Sequence, residues 1–119
     1  MGNHEHAIQD FRKAIDLDEK YALSYLHMGV SKLKSHLVRE AILDFKKSQE
    51  LEDNPSVDDG LGSCYHALKN YGEAIDYFDK AISAKPNNVE FLKNRAQCYF
   101  DMNMYQLAID DLNTALTQK

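Results

Sequence analysis

Three features of the sequence point to an all-α fold, a solenoid of antiparallel helix pairs stacked side by side. Four blocks nearly repeat one another: AIQDFRKAI from Ala7, AILDFKKSQ from Ala41, AIDYFDKAI from Ala74 and AIDDLNTAL from Ala108, in steps of 34, 33 and 34 residues. Within a block the apolar residues, such as Ala74, Ile75, Phe78, Ala81 and Ile82, recur at helical rather than strand intervals. A second helical pattern precedes each of the last three blocks, so the unit is a pair of helices. Such a pair cannot bury its apolar side alone and must stack on a copy of itself.

Residues 1–20 carry Ile8, Phe11 and Ile15 on one side and form the second helix of an incomplete repeat, so the chain reads as a fragment of a longer protein. In residues 21–54 the first helix carries Tyr25, Met28, Gly29 and Leu33, and the block from Ala41 supplies the second. Residues 55–88 open on Asn54-Pro55, a cap followed by proline at the first helical position, with Asp58 and Asp59 near the positive end of the helix dipole. Leu61, Gly62 and Tyr65 mark its first helix. Lys85-Pro86-Asn87-Asn88 stops one helix and caps the next, so residues 89–119 form a third pair, with Leu92, Ala96 and Tyr99 on its first helix. The turns inside the pairs fall at Ser35-His36, Lys69-Asn70 and Asn103-Met104, where asparagine is the residue best suited to a left-handed backbone. The whole of residues 1–119 is then one array.

The residues that recur identify the motif. Leu61-Gly62-Ser63-Cys64-Tyr65, then Ala74, Phe78, Ala81 and Pro86 follow in order the tetratricopeptide pattern W-x2-L-G-x2-Y, A-x3-F-x2-A, P. Gly29, Ala41 and Phe45, and then Ala96, Tyr99, Ala108, Leu112 and Ala115, repeat it with small substitutions. The chain resembles the tetratricopeptide repeat (TPR) family over essentially its full length, and the resemblance implies a right-handed superhelix. Tyr25, Asp58 and Leu92 stand at the tryptophan place and Arg95 at a leucine place, so looser packing is expected at those helix starts.

The same resemblance implies a function: stacked first helices line a concave groove that holds a partner's peptide or helix, making the chain a non-catalytic protein–protein interaction scaffold. The groove residues carried over are Leu26, Val30 and Leu33, then Asp59, Ser63 and His66, then Lys93, Asn94, Gln97 and Phe100, with Leu23, His27, Ser56, Gly60 and Glu90 beside them. Leu26, Val30 and Leu33 make an apolar strip with two readings, a ligand anchor or a face packed on a helix before Met1. Gly60 and Ser63 are small enough to admit a partner's backbone, and Lys93, Asn94 and Gln97 offer polar contacts. Relatives that act as chaperone adaptors clamp a terminal carboxylate with lysines, asparagines and an arginine. In one register this chain has Leu26, Val30, Gly60, Glu90 and Asn94 at those places, and in the next only Asn94 agrees, while Asp59 and Glu90 repel a carboxylate. A different reading is structural: apolar residues at the ends, Ile109 and Leu116 among them, drive self-assembly into a homo-oligomer while the groove stays empty.

Composition narrows the rest. The chain has 119 residues, 14 basic against 19 acidic, for a formal charge of −5, and no basic run, which argues against nucleic acid. No stretch approaches the roughly 20 apolar residues that span a bilayer, and Met1-Gly2 lacks the Ser or Thr that myristoylation wants at residue 6, which is His6, so no membrane partner is expected. Cys64 and Cys98 sit on successive units about 8–10 Å apart, beyond disulfide reach. Reduced core thiols fit a cytoplasmic protein. His4-x-His6 lacks a third ligand and reads as solvated side chains near a chain end; a free Gly2-Asn3-His4 terminus would suit Cu(II) or Ni(II), but chance explains that run better, so no metal or cofactor is expected. Asp58-Asp59, Asp76 with Lys80, and Asp110-Asp111 read as helix starts and solvated faces, and no phosphate loop, G-x-S-x-G elbow or H-E-x-x-H segment occurs, so no enzyme is expected.

Overall fold

A computed structural model describes residues 22–117. Six helices run through them: α1 (Ala22–Lys34), α2 (Val38–Leu51), α3 (Pro55–Ala67), α4 (Tyr71–Ala84), α5 (Val89–Asp101) and α6 (Tyr105–Leu116). No strand occurs among the described residues. Helices α1 with α2, α3 with α4 and α5 with α6 form the pairs; α2 packs on α3 and α4 on α5, while α1, α3 and α5 touch in sequence. This is the all-α solenoid that the repeats predict. The first-repeat helix expected over Ala7 to Ile15 and the His4-x-His6 pair lie outside the described residues.

Local chemistry sets the boundaries. Asn54 and Asn88 are extended caps whose side-chain oxygens accept from the N–H groups of Ser56 (2.9 Å) and Phe91 (3.0 Å), and Pro55 takes the first helical position as expected. The turn inside each pair is built one way three times. Leu37, Asn70 and Met104 donate their N–H groups to the carbonyls of Lys32, Tyr65 and Tyr99, five residues back, at 2.8–2.9 Å, around a left-handed residue. That residue is His36, Lys69 or Asn103, with φ of 65°, 64° and 65°. Asparagine therefore takes the left-handed place only in the third turn. In the second, Lys69 takes it and Asn70 follows with φ −93°, because the place is counted from the helix end and not chosen by residue type.

Glycines admit the core aromatics. A Cβ on Gly29 of α1 would lie 2.8 Å from the Phe45 ring, and one on Gly60 of α3 would lie 2.7 Å from it, so Phe45 is wedged between two repeats. Gly60 was expected to leave room for a partner's backbone; Phe45 of this chain occupies that side instead. Gly62 likewise receives Phe78, at 2.6 Å from a built Cβ. Phe45 lies in a cluster with Leu26, Ala41, Val57, Leu61 and Cys64, and Phe78 in one with Ala74 and Cys98. Both cysteines are free and buried, and burial pushes their thiols up to about 12 and about 11.

Charged residues enter this core where the sequence suggested looser packing or solvated faces. Arg95 donates Nε and Nη2 to the two oxygens of buried Asp111 (2.8 and 2.6 Å) and Nη1 to Asp79 (2.9 Å), tying α5 to α6 and to α4. Its guanidinium also lies over the Tyr99 ring, 5.6 Å from the centroid. The hydrogen bonds to Asp111 hold Arg95 further above its already high range. Asp58, at the tryptophan place, is buried as well; Gln49 donates to it (2.9 Å), yet burial pushes its carboxyl up. A cleft of about 690 Å³ opens beside it, bordered by Gln49 of α2, Pro55 of α3 and Lys80 and Ser83 of α4. Lys80 sits over the Tyr77 ring, 5.0 Å from its centroid.

Candidate functional site

The first helices α1, α3 and α5 stand in a row, and their shared face carries most of the residues singled out from the sequence. Rows repeat at the same places on each helix: Leu26, Val30, Leu33; Asp59, Ser63, His66; Lys93, Gln97, Phe100. Their surroundings differ.

On α1 the strip turns inward. Leu26 is buried in the cluster around Phe45, and Val30 and Leu33 pack half-buried against it. The chain's own α2 and α3 thus take up Leu26, which corrects its placement as a groove contact: Phe45 draws it into the inter-repeat core. Leu23 and His27 are exposed.

Between α3 and α5 the face is polar and cross-linked. Asn94 Nδ2 donates to Asp59 Oδ1 and Oδ2 at 3.0 and 3.2 Å, and His66 Nε2 lies 2.6 Å from Asp101 Oδ2. Each link joins a residue of α3 to the residue 35 positions on. At the corresponding places one repeat earlier stand Leu26 with Gly60 and Leu33 with Ala67, so the same rungs are apolar at the first junction and polar at the second. Gln97 Nε2 adds a bond to Asp101 Oδ1 (3.2 Å), and the His66 ring meets the Tyr71 ring at 5.8 Å. Ser63 is half-buried, Lys93 and Glu90 are exposed, and Phe100 is exposed with its ring edge-on to Tyr105 at 5.3 Å.

Electrostatics separates the two carboxylates. Removal from water pushes Asp59 up to about 6, a rise that the Asn94 amide opposes and the negative charge of Glu90 reinforces. Asp101 stays exposed, and its hydrogen bond with His66 holds it below the usual carboxylate range. Asp101 and Tyr71 were not among the residues read from the sequence. The signal was present for Asp101: it follows His66 by the interval at which Asn94 follows Asp59.

Three models of the tetratricopeptide repeat match this chain, over residues 1–21, 60–88 and 77–110. The chain belongs to the tetratricopeptide repeat family. Among curated relatives, DnaJ homolog subfamily C member 3 of Homo sapiens is 26% identical over 132 aligned positions, covering 97% of this chain and 26% of that protein. Hsp70-Hsp90 organizing protein 3 of Arabidopsis thaliana is 30% identical over 57 positions, 48% of this chain and 10% of that protein. The chain spans about a quarter of the length of the first of these. Among solved TPR structures, MamA superposes with a TM-score of 0.84 at 22% identity, over 95% of this chain and 67% of that one. YrrB, described as a TPR protein with an unusual peptide-binding site, superposes with a TM-score of 0.78 at 22% identity, over 99% and 61%. These likenesses establish the fold. No helix among the described residues is long and apolar enough to cross a membrane.

Proposed function

We propose that the chain is a non-catalytic scaffold that holds a partner's peptide or helix along the face of α1, α3 and α5. The observation that carries this reading is the division of that face. Val30 and Leu33 carry half-buried apolar surface at one end, while two separate hydrogen-bonded sets, Asp59 with Asn94 and His66 and Gln97 with Asp101, stand at the other. A partner segment with an apolar half and a half rich in hydrogen-bond donors fits both ends. Ser63, Lys93 and Phe100 border its path. The peptide-binding site named for YrrB and the chaperone connection in the name of the Arabidopsis relative agree with a TPR array of this kind.

A clamp for a terminal carboxylate fits less well. Asp59 is engaged by Asn94, the one residue that matches the clamp pattern, and Glu90 adds a second negative charge. The partner is therefore expected to present donors to this end rather than a carboxylate.

A random peptide library displayed on phage tests the proposal. Sequences selected on the wild type are expected to lose binding to Val30→Asp and to Asn94→Ala, with folding checked by circular dichroism. Equal retention by both folded variants would remove the groove assignment. Gln97→Ala, an exposed change with little bearing on stability, should weaken binding of the same sequences.

A further inference from the structure

We propose that the link between Asp59 and Asn94 is where a lysine or arginine side chain of the partner enters the groove, and that it enters with Asp59 ionised. This rests on the groove reading and names the chemistry that its α3–α5 end recognises.

The distribution of charge singles this carboxylate out. Among the described residues four carboxyl side chains are buried or half-buried: Asp44, Asp58, Asp59 and Asp111. Three of them have a cation of this chain acting on them. Lys32 lies 2.7 Å from Asp44, Arg95 lies 2.6 Å from Asp111, and the charge of Lys80 acts on Asp58. Asp59 has the neutral amide of Asn94 instead, and the one charge that acts on it is that of Glu90, which repels it. A carboxylate withdrawn from water without a counter-charge is costly, and an incoming cation relieves that cost.

The site has room for one. Asp59 keeps part of its surface exposed, and its neighbours about one turn to either side on α3 are the small Ser56 and Ser63. Asn94 reaches both carboxylate oxygens from a single nitrogen, at 3.0 and 3.2 Å, so each oxygen keeps a lone pair for a second donor. Lys93 of α5 is exposed and does not act on Asp59. Glu90, in the first turn of α5, repels Asp59 but attracts a visiting ammonium or guanidinium, so the two acids favour the same ligand.

Recognition of this kind is coupled to a proton. Burial, reinforced by Glu90, raises Asp59 to about 6, so about one-tenth of it is ionised at pH 5 and about nine-tenths at pH 7. A cation selects the ionised form, and its affinity should rise about tenfold across that interval. Asn94 and Glu90 face Asp59 from α5, Leu26 stands at the same place on α1, and His66, two turns along α3, is held by Asp101.

Selection of the phage peptide library on the wild type and on Asp59→Asn, which keeps the side-chain shape without the charge, tests the proposal. Peptides selected on the wild type at pH 7 should share a lysine or arginine at one place, and those selected on the variant should not. Changing that residue to norleucine should cost about tenfold or more in affinity, and the wild-type affinity should fall about tenfold from pH 7 to pH 5. His66→Gln, whatever it does to affinity, should keep that fall, and Asp59→Asn should abolish it. A second measurement does not depend on the rest of the groove: acetyl-Gly-Lys-Gly-amide, titrated into the wild type at pH 7, should move the Asn94 side-chain amide signals in NMR spectra, and the norleucine analogue should not. Peptides that lose binding to Val30→Asp yet carry no shared basic residue would overturn this proposal and leave the groove standing. Peptides that require Asp59 but ignore Val30→Asp would uphold it and remove the wider groove. Asn94 signals that ignore the lysine peptide, or answer both peptides alike, would overturn it, as would a pH response lost in His66→Gln and kept in Asp59→Asn.

Discussion

Lys32 Nζ lies 2.7 Å from Asp44 Oδ2 with both side chains more than nine-tenths buried, and the pair fills the places where Tyr65 and Tyr77 stack one repeat later, ring centroids 5.5 Å apart and planes 1° from parallel. In the third repeat the same places hold Tyr99 and Asp111, joined through Arg95. One contact between the paired helices is thus made in three chemistries. Removing the carboxylate by Asp44→Leu leaves the Lys32 ammonium buried without it, and chemical denaturation is expected to show a loss of about 3–5 kcal/mol. The double change Lys32→Tyr with Asp44→Tyr, which copies the second repeat, should recover most of that loss. If the single change proved silent, the pair would not support the first repeat.

Gly60 and Gly72 are expected to respond oppositely to alanine. At Gly60 the added methyl drives into the Phe45 ring, so Gly60→Ala should destabilise by about 1–3 kcal/mol, less the helix propensity it gains. At Gly72, in the first turn of α4, nothing lies within 4 Å of a built Cβ, and Gly72→Ala should stabilise by up to about 1 kcal/mol. Melting temperatures of the two variants check this, and a matching shift in both would argue against the Phe45 wedge.

Asp59 makes stability depend on pH. Its folded-state value of about 6 lies above its unfolded value, so the native state holds more protons than the unfolded state between about pH 4 and 6. Its contribution is complete below the unfolded value and is lost as pH rises through about 6. Asp59→Asn should therefore be more stable than wild type at pH 7, by about 1–2 kcal/mol after solvent screening, and should flatten the decline across that window. Urea titrations at pH 4, 5, 6 and 7 give the comparison; parallel pH profiles would exclude the effect.

The left-handed turns offer a stabilising change. Lys69 holds φ 64° at a place where glycine carries no steric penalty, so Lys69→Gly is expected to raise stability by about 1 kcal/mol. Asn70→Gly, one residue on with ordinary φ, should not. Reversal of that order would mean that the turn is not built as described.

The 34-residue period, the helical spacing of the apolar blocks and the caps at Asn54 and Asn88 were legible in the sequence by itself, and with them the family and the order of the helices. These features are local: a helix face, a cap or a proline acts on its immediate neighbours, and four copies of one pattern show that they stack. What each position faces was decided only by the tertiary structure. Leu26 went into the core and Gly60 against Phe45, because both depend on where the adjoining repeat places one ring. Lys32 and Asp44 draw no reading from the sequence, and Arg95 reads as a weakened helix start, since nothing in linear order announces a partner 12 or 16 residues away on the other helix of the pair. The polar links of Asp59 with Asn94 and His66 with Asp101 lie between repeats, where the superhelical offset sets which side chains meet. Hydrophobic period specifies that the helices pack; the packed geometry specifies which polar groups are removed from water together, and so where Asp59 is left close to its point of titration.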